Sequence, residues 1–359
     1  MQTKVTKDAF KGQNIFVGLD VHKKDFKVTV VAEGFFYKTF SCPPASKNIA
    51  SFLEHNFPGA TYYSAYEAGF SGFWLHRELT ELGIKSIVVN PADIPTTDKE
   101  RKQKEDRRDS RKLARDLYAS QLSGIYVPEE RVVDDRSLLR SRQSIVKEIR
   151  RFKQRIKSFL YFQGVKFPEH YAQETNHWSR SFIKWLESLS FAHESAKYAL
   201  QVHIDSLSHA RELLLKTTRE IRKLSKGGHY KQWVEALITL PGFGMLTAMH
   251  ILTELGDLRR FKNFNHLCSF VGLIPSTDSS GENDKSTGIT PRRNRPLRSA
   301  LIESAWVAIR CDPALMSSYL GYVKRMEKNK AIVRIARKLL NRAVHILLKN
   351  ETYQKNVIK

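Results

Sequence analysis

Up to Pro128 the apolar residues of this chain come in short alternating runs separated by helical segments, whereas beyond it they recur only at the spacing of long helices. A chain patterned this way has to build a sheet with helices on it first and a helical body afterwards. Ile15 to Val21 reads as an apolar strand reaching Asp20, His22 to Asp25 as a polar turn, and Phe26 to Ala32 as a second, alternating strand. Phe35 to Phe40, after Gly34, is a third. Ser46 is placed to N-cap a short helix through Ile49, Phe52 and Leu53, and Thr61 to Tyr66 comes next as a strand ending at Glu67. Gly72 to Leu82 reads as a helix closed by Gly83, and Ser86 to Val89 as a short buried strand stopped by Asn90-Pro91. A basic connector over Pro91 to Glu105 leads to a helix from Asp106 to Leu122. The predicted order is βββαβαβα.

Two long helices dominate the chain beyond Pro128. Leu138 to Phe162 carries Leu139, Ile145, Ile149, Ile156 and Leu160 among many Arg and Lys. Glu194 to Leu224 places Leu200, Ile204, Leu207, Leu214 and Ile221 at heptad-like positions, with Arg211 interrupting the stripe. The pair predicts an antiparallel helical hairpin or an intermolecular coiled coil, and a plain helical core fits the same pattern. Further on, Pro241-Gly242-Phe243-Gly244 between two helices resembles a helix-hairpin-helix turn, in which the amides of Gly242 and Gly244 could approach a DNA phosphate; a tight turn without ligand is the plainer reading. The segment Asp278-Ser279-Ser280-Gly281 reads as a turn and leads into a basic stretch with Arg292, Arg293, Arg295 and Arg298.

The 359 residues carry a formal charge of +23, and 41% of them are hydrophobic, enough to fill real cores. A folded chain this basic gathers polyanions, and its scattered aromatic residues leave room for base stacking. No apolar run approaches the length of a spanning helix and Met1 to Phe16 lacks a signal-peptide core, so no membrane role and a cytoplasmic location are expected. Cys42, Cys268 and Cys311 are too far apart for a zinc site or a disulfide framework and read as core residues. Against that positive background, Asp20, Glu67, Asp106 and Asp109 fall at strand ends and on one helix face. Crowded carboxylates repel one another unless a cation reverses the balance, and hard oxygen donors suit Mg2+, with Mn2+ as an alternative. Ordinary strand-end acids would look similar, but the spacing favours a metal site acting on phosphates. Glu105 and Asp116 face elsewhere on the helix.

The strand and helix order resembles an RNase H-like (RuvC-like) domain. A set of segments carries a closer likeness: GLDVHK (Gly18 to Lys23), YEAGFSG (Tyr66 to Gly72), VVNP (Val88 to Pro91), KEDRRD (Lys104 to Asp109), LLRSRQ (Leu138 to Gln143), LPGFG (Leu240 to Gly244), the run from Phe261 to Pro275 and SSG (Ser279 to Gly281). In this order the set resembles the DEDD-type insertion-sequence transposases of the bridge-RNA-guided recombinase family. The resemblance implies that Asp20, Glu67, Asp106 and Asp109 are metal ligands and that Ser280 is a nucleophile, with Ser279 and Ser276 as neighbours able to take that role. It also implies a structured guide RNA, donor and target DNA as partners, and a homo-oligomer, a dimer assembling to a tetramer. Two positions depart from the family pattern: Ser110 follows Asp109 where alanine is usual, and Arg293-Asn294-Arg295 stands where Gly-Asn is usual.

The expected fold class is therefore α/β plus all-α: a RuvC-like catalytic domain over 1–128, a helical, coiled-coil oligomerisation region over 129–235, and a mostly helical C-terminal domain over 236–359 bearing the serine. The expected activity is RNA-guided cutting and rejoining of DNA through a serine–DNA intermediate. A serine link conserves the phosphodiester bond energy, so rejoining needs no ATP. A structure-specific nuclease using water would need only the four acids, and a non-catalytic scaffold would need neither acids nor serine.

Overall fold

The computed structural model describes residues 10–94, 106–280, 283–290 and 293–354, with the backbone alone described at 106–108, 174, 276–280 and 283–288. The chain divides into two units, Met1–Val127 and Pro128–Lys359.

Alternation of apolar and small residues builds the first unit. Strands β1 (Asn14–Val21), β2 (Phe26–Ala32) and β3 (Phe35–Cys42) form an antiparallel meander; helix α1 (Ser46–Asn56), β4 (Thr61–Glu67), helix α2 (Trp74–Glu81) and β5 (Lys85–Val89) come after it. The sheet order is β3-β2-β1-β4-β5, with β4 and β5 running parallel to β1. This mixed sheet is compatible with the RNase H-like plan. Ile15, Val17 and Leu19 of β1 join Val28, Val30, Tyr66 and Val88 in a core with Ile49, Leu53, Leu75 and Leu79 of the two helices. Ser46 is not a cap: Ala45 holds that position, and the buried Ser46 hydroxyl donates to Glu78 Oε2 at 2.7 Å, tying α1 to α2.

The opposite sheet face seats helix α3 (Asp106–Tyr118), and small residues make the seat. Thr29, Gly18 and Ala65 stand in register across β2, β1 and β4. A Cβ at Gly18 would lie 2.1 Å from the Ser110 carbonyl oxygen and 2.4 Å from the Ala114 amide nitrogen. Those are backbone atoms, which no rotamer change can move aside. Ser110 itself is buried and its Oγ lies 2.9 Å from Thr29 Oγ1, so the departure from alanine adds a hydroxyl tie between helix and sheet. Gly18→Ala is expected to cost about 3 kcal/mol or more of stability, read from urea midpoints, because the whole helix must retreat. Helix α3 stops at Tyr118, four residues short of the expected Leu122, as Ser120 turns to φ 56°.

The second unit begins with helix α4 (Glu130–Phe162), which starts eight residues earlier than the periodicity of Leu138 onward suggests. It pairs with α6 (Glu194–Ser225); Arg142 Nε donates to Thr218 Oγ1 at 2.9 Å, and Phe159 meets His203 further along, so the two run antiparallel. The heptad-like stripe is thus partnered within the chain. Helix α5 (Arg180–Ser188) wedges Phe182 and Leu186 beside Ile156, Leu160, Leu200 and Ile204. Arg211, the interruption in the stripe, donates to the Trp178 carbonyl at 2.9 Å.

Helices α7 (Lys231–Leu237), α8 (Met245–Leu255), α9 (Phe264–Val271), α10 (Arg295–Cys311), α11 (Pro313–Val323) and α12 (Lys328–Lys349) pack around a separate apolar core that also takes Leu139 of α4. Between α9 and α10 lies a hairpin of β6 (Pro275–Ser280) and β7 (Asn283–Ile289), where the sequence pattern predicts no strand. Its sequences, PSTDSS and NDKSTGI, lack apolar alternation, so periodicity could not reveal it. Of the cysteines only Cys268 is buried; Cys311 is exposed, contrary to a core role. Among the described residues no helix is long and apolar enough to cross a membrane.

Candidate active site

Two of the predicted acids, Asp20 and Glu67, come to one end of the sheet. Because β1 and β4 run parallel, both finish on the same side, and Asp20 and Glu67 each follow the last registered couple, Leu19 and Tyr66. Each lies two residues beyond a member of the small-residue row, Asp20 after Gly18 and Glu67 after Ala65. Side chains alternate along a strand, so both project on the face that carries α3.

Helix α3 reaches the same place from above. Tyr118 packs edge-on against Phe16, with centroids 5.3 Å apart, whereas Ser110 and Ala114 lie over Gly18. The helix therefore runs antiparallel to β1. Its first residue, Asp106, is one turn ahead of Ser110, a rise of about 6 Å, and two strand residues from Gly18 to Asp20 advance about 6.6 Å. The helix start is thus carried over the Asp20–Glu67 end of the sheet. Asp109, half-buried, lies within that first turn; the Asp106 side chain lies outside the described residues.

His22, the histidine of GLDVHK, belongs to this edge too, with its Nε2 3.0 Å from Asp20 Oδ2. Strand periodicity could not single it out, since it lies in the turn after β1. Asp116 is buried at the other end of α3 against the guanidinium of Arg115, away from the acid edge.

The donor set is all hard oxygen with one imidazole behind it, on two adjacent strand ends and one helix start, which fits a divalent cation. Among the described residues no three Asp, Glu, His or Cys side chains already close into a cage. The fit therefore rests on the approach of β1, β4 and α3.

The second unit holds other expected residues. Ser280 ends β6, opposite Asn283 of β7, with Ser279 opposite Asp284. Ser276 is on the same strand. Gly242 adopts φ 81°, and a Cβ there would lie 2.2 Å from the Ser304 carbonyl oxygen, so this glycine lets the α7–α8 turn pack on α10. Gly244 is exposed at the N-cap of α8. Arg298 is half-buried and donates to the Thr290 carbonyl at 3.2 Å; Arg293 and Arg295 are exposed, and Arg292 lies outside the described residues.

An ionic cluster that sequence reasoning missed fixes this neighbourhood. Glu254 of α8 is 2% exposed, and Arg140 grips both its carboxylate oxygens at 2.9 Å. Arg136 donates to the Thr253 carbonyl at 2.8 Å and lies 3.7 Å from the same carboxylate. Asn294 donates to Glu254 at 2.8 Å while its Oδ1 caps α10 by accepting from Leu297. The departure Arg293-Asn294-Arg295 thus contains a capping residue that ties the loop after β7 to the LLRSRQ helix. Burial pushes the Glu254 carboxyl up, but the bonds from Arg140 and Asn294 and the charge of Arg136 outweigh it and hold the group below its usual range.

One turn before Glu254, His250 receives a hydrogen bond from Gln143 Nε2 at 3.2 Å on its own Nε2, and its Nδ1 has no partner among the described residues. Burial, with the nearby Arg142 and Arg140 charges, pushes its pKa down to about 4 against the opposing pull of Glu254. The fold therefore excludes a proton that the unfolded chain binds below about 6.5. Stability present above that pH is lost as pH falls toward 4. Between pH 7 and pH 5 the loss is about 2 kcal/mol. Urea titrations should show His250→Gln lacking this increment.

Comparison with known proteins identifies the family. Residues 17–163 match the DEDD transposase model of IS110 type, described as "Transposase", and residues 234–320 match "Transposase IS116/IS110/IS902 family". A Sinorhizobium fredii protein named as a transposase, y4qE, is 31% identical over 301 residues, 81% of this chain and 71% of that protein. The transposase for insertion sequence element IS1533 of Leptospira borgpetersenii is 28% identical over 82% of this chain and 85% of its own length. A pilin gene-inverting protein of Moraxella bovis is 32% identical over a shorter stretch, 34% of this chain and 38% of its own. These matches make the chain an enzyme of the DNA transposase and recombinase class. The chain belongs to the IS110 family of insertion-sequence transposases.

Proposed function

We propose that the chain cuts and rejoins donor and target DNA through a covalent serine–DNA intermediate, with Asp20, Glu67, Asp106 and Asp109 holding Mg2+ or Mn2+. The observation that carries this reading is the register of α3 on β1, which brings the Asp106 turn to the edge where Asp20 and Glu67 end. A cation bound there would stabilise negative charge developing on phosphate oxygens and on an attacking hydroxyl. The chain's own residues supply the rest. His22 holds the Asp20 carboxylate in one orientation, and Gly18 and Ser110 fix the helix height.

Ser280 is the proposed nucleophile, with Ser279 and Ser276 on the same strand as the competing choices. Its oxygen attacks the scissile phosphorus, the serine proton passes to a base or solvent, and the 3′ or 5′ oxygen of the cut strand leaves with a proton. The new phosphodiester is then attacked by the hydroxyl of another strand, which releases the serine. The acids belong to one unit and the serine to the other, so the reaction requires both within one assembly, either of one chain or of several; we assign the family-type homo-oligomer as that assembly.

The +23 charge supports a nucleic-acid partner on each side of the reaction, including the guide RNA, held by backbone and shape contacts. Gly244 and the arginines Arg292, Arg293 and Arg295 are assigned to phosphate contacts; Gly242 and Arg298 support the local fold around them. The domain roles are then metal chemistry in 1–128, assembly in 129–235 and serine chemistry in 236–359. The test is denaturing electrophoresis of a labelled DNA substrate with the full chain and guide RNA. A protein-linked DNA band that vanishes on chelation of divalent ions supports the proposal. Free cut ends with no linked species would assign the water-using nuclease mechanism instead.

A further inference from the structure

Helix α12 has two unlike faces. Ala331, Ile332, Ile335, Ala336, Leu339 and Leu340 are buried, and the adjoining face carries Lys330, Arg334, Arg337, Lys338 and Asn341 at helical spacing. A cationic stripe is ordinarily a solvated surface, and like charges one turn apart weaken a helix slightly. This stripe, however, forms one wall of a groove of about 760 Å3. The floor is apolar, built from Leu273, Ile274, Pro275 and Ile289, the foot of the β6–β7 hairpin, and Phe264 and Tyr322 stand at the sides. Among the described residues no carboxylate lines the groove, although Glu327 lies 3.7 Å from Lys330 at the rim.

The cations are held in place over this floor. Arg334 and Lys338 lie 5.5 and 5.9 Å from the Tyr322 ring centre, and Arg337 lies 5.9 Å from that of Phe264. Arg337 also donates to Asn265 Oδ1 and Lys338 to Ser318 Oγ, each at 3.1 Å. A ligand that matches needs flat apolar faces for the floor and rings, and a repeating anionic edge for the stripe. Unpaired nucleic acid has both, because bases stack on aromatic and guanidinium planes while phosphates meet the cations. A duplex hides its bases and would use only the charges.

We propose that this groove binds an unpaired segment of the DNA strand being cut. The choice of that strand rests on the proposed role of Ser280: from Pro275 in the groove to Ser280 is five residues of strand, about 17 Å, or roughly five steps of 3.4 Å along a DNA strand. The groove thus holds nucleotides a few positions from the reacting phosphate and keeps them from re-pairing.

Fluorescence anisotropy of a labelled single-stranded oligodeoxynucleotide with the full chain tests this. Arg334→Glu with Lys338→Glu should weaken binding by roughly tenfold or more and reduce the log–log salt slope by about 1.4, the share of two phosphate contacts on a single strand. Tyr322→Leu, which keeps the apolar volume, should weaken single-strand binding by roughly tenfold while leaving duplex binding unchanged. The control is Arg151→Glu with Arg155→Glu on α4, the same charge change on another surface. An equal loss in that control, an effect of Tyr322→Leu on duplex equal to its effect on single strand, or weakened RNA binding with DNA binding intact would overturn the proposal. Ser280→Ala should bind the oligonucleotide as the native chain does. Groove variants that lose binding while Ser280→Ala still forms a protein–DNA adduct would leave the groove standing and remove the serine assignment. Unchanged binding with a Ser280 adduct would do the reverse.

Discussion

Asp20→Ala should abolish strand transfer, by about a thousandfold or more, while nucleic-acid binding changes little. The size follows from the several kcal/mol of charge stabilisation that a bound cation supplies to a phosphoryl transition state, of which roughly 4 kcal/mol is a thousandfold in rate. The selectivity follows from position. Asp20 sits at the end of β1 beside Glu67, below the start of α3, where its loss removes a proposed metal donor without unseating the helix; the seat is made by Thr29, Gly18 and Ala65. His22→Ala should fall between Asp20→Ala and the native chain, since it loosens the Asp20 carboxylate that it meets at 3.0 Å without removing a donor. Recombinant product on gels, measured beside guide-RNA and DNA affinity, separates the effects. Undiminished transfer by Asp20→Ala would reject the metal site, and equal loss of binding and transfer would indicate damage to the fold.

Sequence reasoning located these acids for a physical reason. Apolar strands with one face against helices show a period of two, and that period points to where β1 and β4 must end. What it could not supply was depth. That Gly18 is small because Ser110 and Ala114 press on it is a contact between residues about ninety positions apart, and no local pattern encodes it. The same holds for Glu254, whose arginine partner Arg140 lies on a helix 114 positions earlier. In the sequence it is one more acid in an apolar helix. Local patterns also fail where the inward face is polar. The first turns of α4 turn Asp135 and Arg136 inward, bonded to the Tyr230 hydroxyl and the Thr253 carbonyl, so the apolar periodicity begins only at Leu138. Beyond Pro275 and Ile289 at its foot the β6–β7 hairpin is polar, paired through its own ladder, so the serine segment reads as a turn. The distinction between antiparallel hairpin and intermolecular coiled coil is likewise closed to the sequence, because a heptad stripe is satisfied by any apolar partner; here α4 supplies it for α6.

The Ser280→Ala variant should bind metal, guide RNA and DNA as the native chain does, since only one hydroxyl is lost, yet yield neither a protein–DNA adduct nor recombinant. A hydroxyl nucleophile has no substitute in the methyl group of alanine, so the chemical step is removed rather than slowed. Ser280 ends β6 opposite Asn283, so its backbone takes part in a ladder that a change of side chain leaves in place, and the variant should fold unchanged. Ser280→Cys should keep at most weak adduct formation, because a thiolate attacks readily but differs in geometry and in its preference for hard cations. Mechanisms diverge at this point. If water is the nucleophile, Ser280→Ala still cuts and leaves free ends, because the four acids suffice. Peptide mass spectrometry of the native adduct then names the atom. DNA carried on Ser280 establishes the assignment; DNA carried on Ser279 or Ser276, with Ser280 unmodified, moves the nucleophile along the same strand and keeps the serine mechanism.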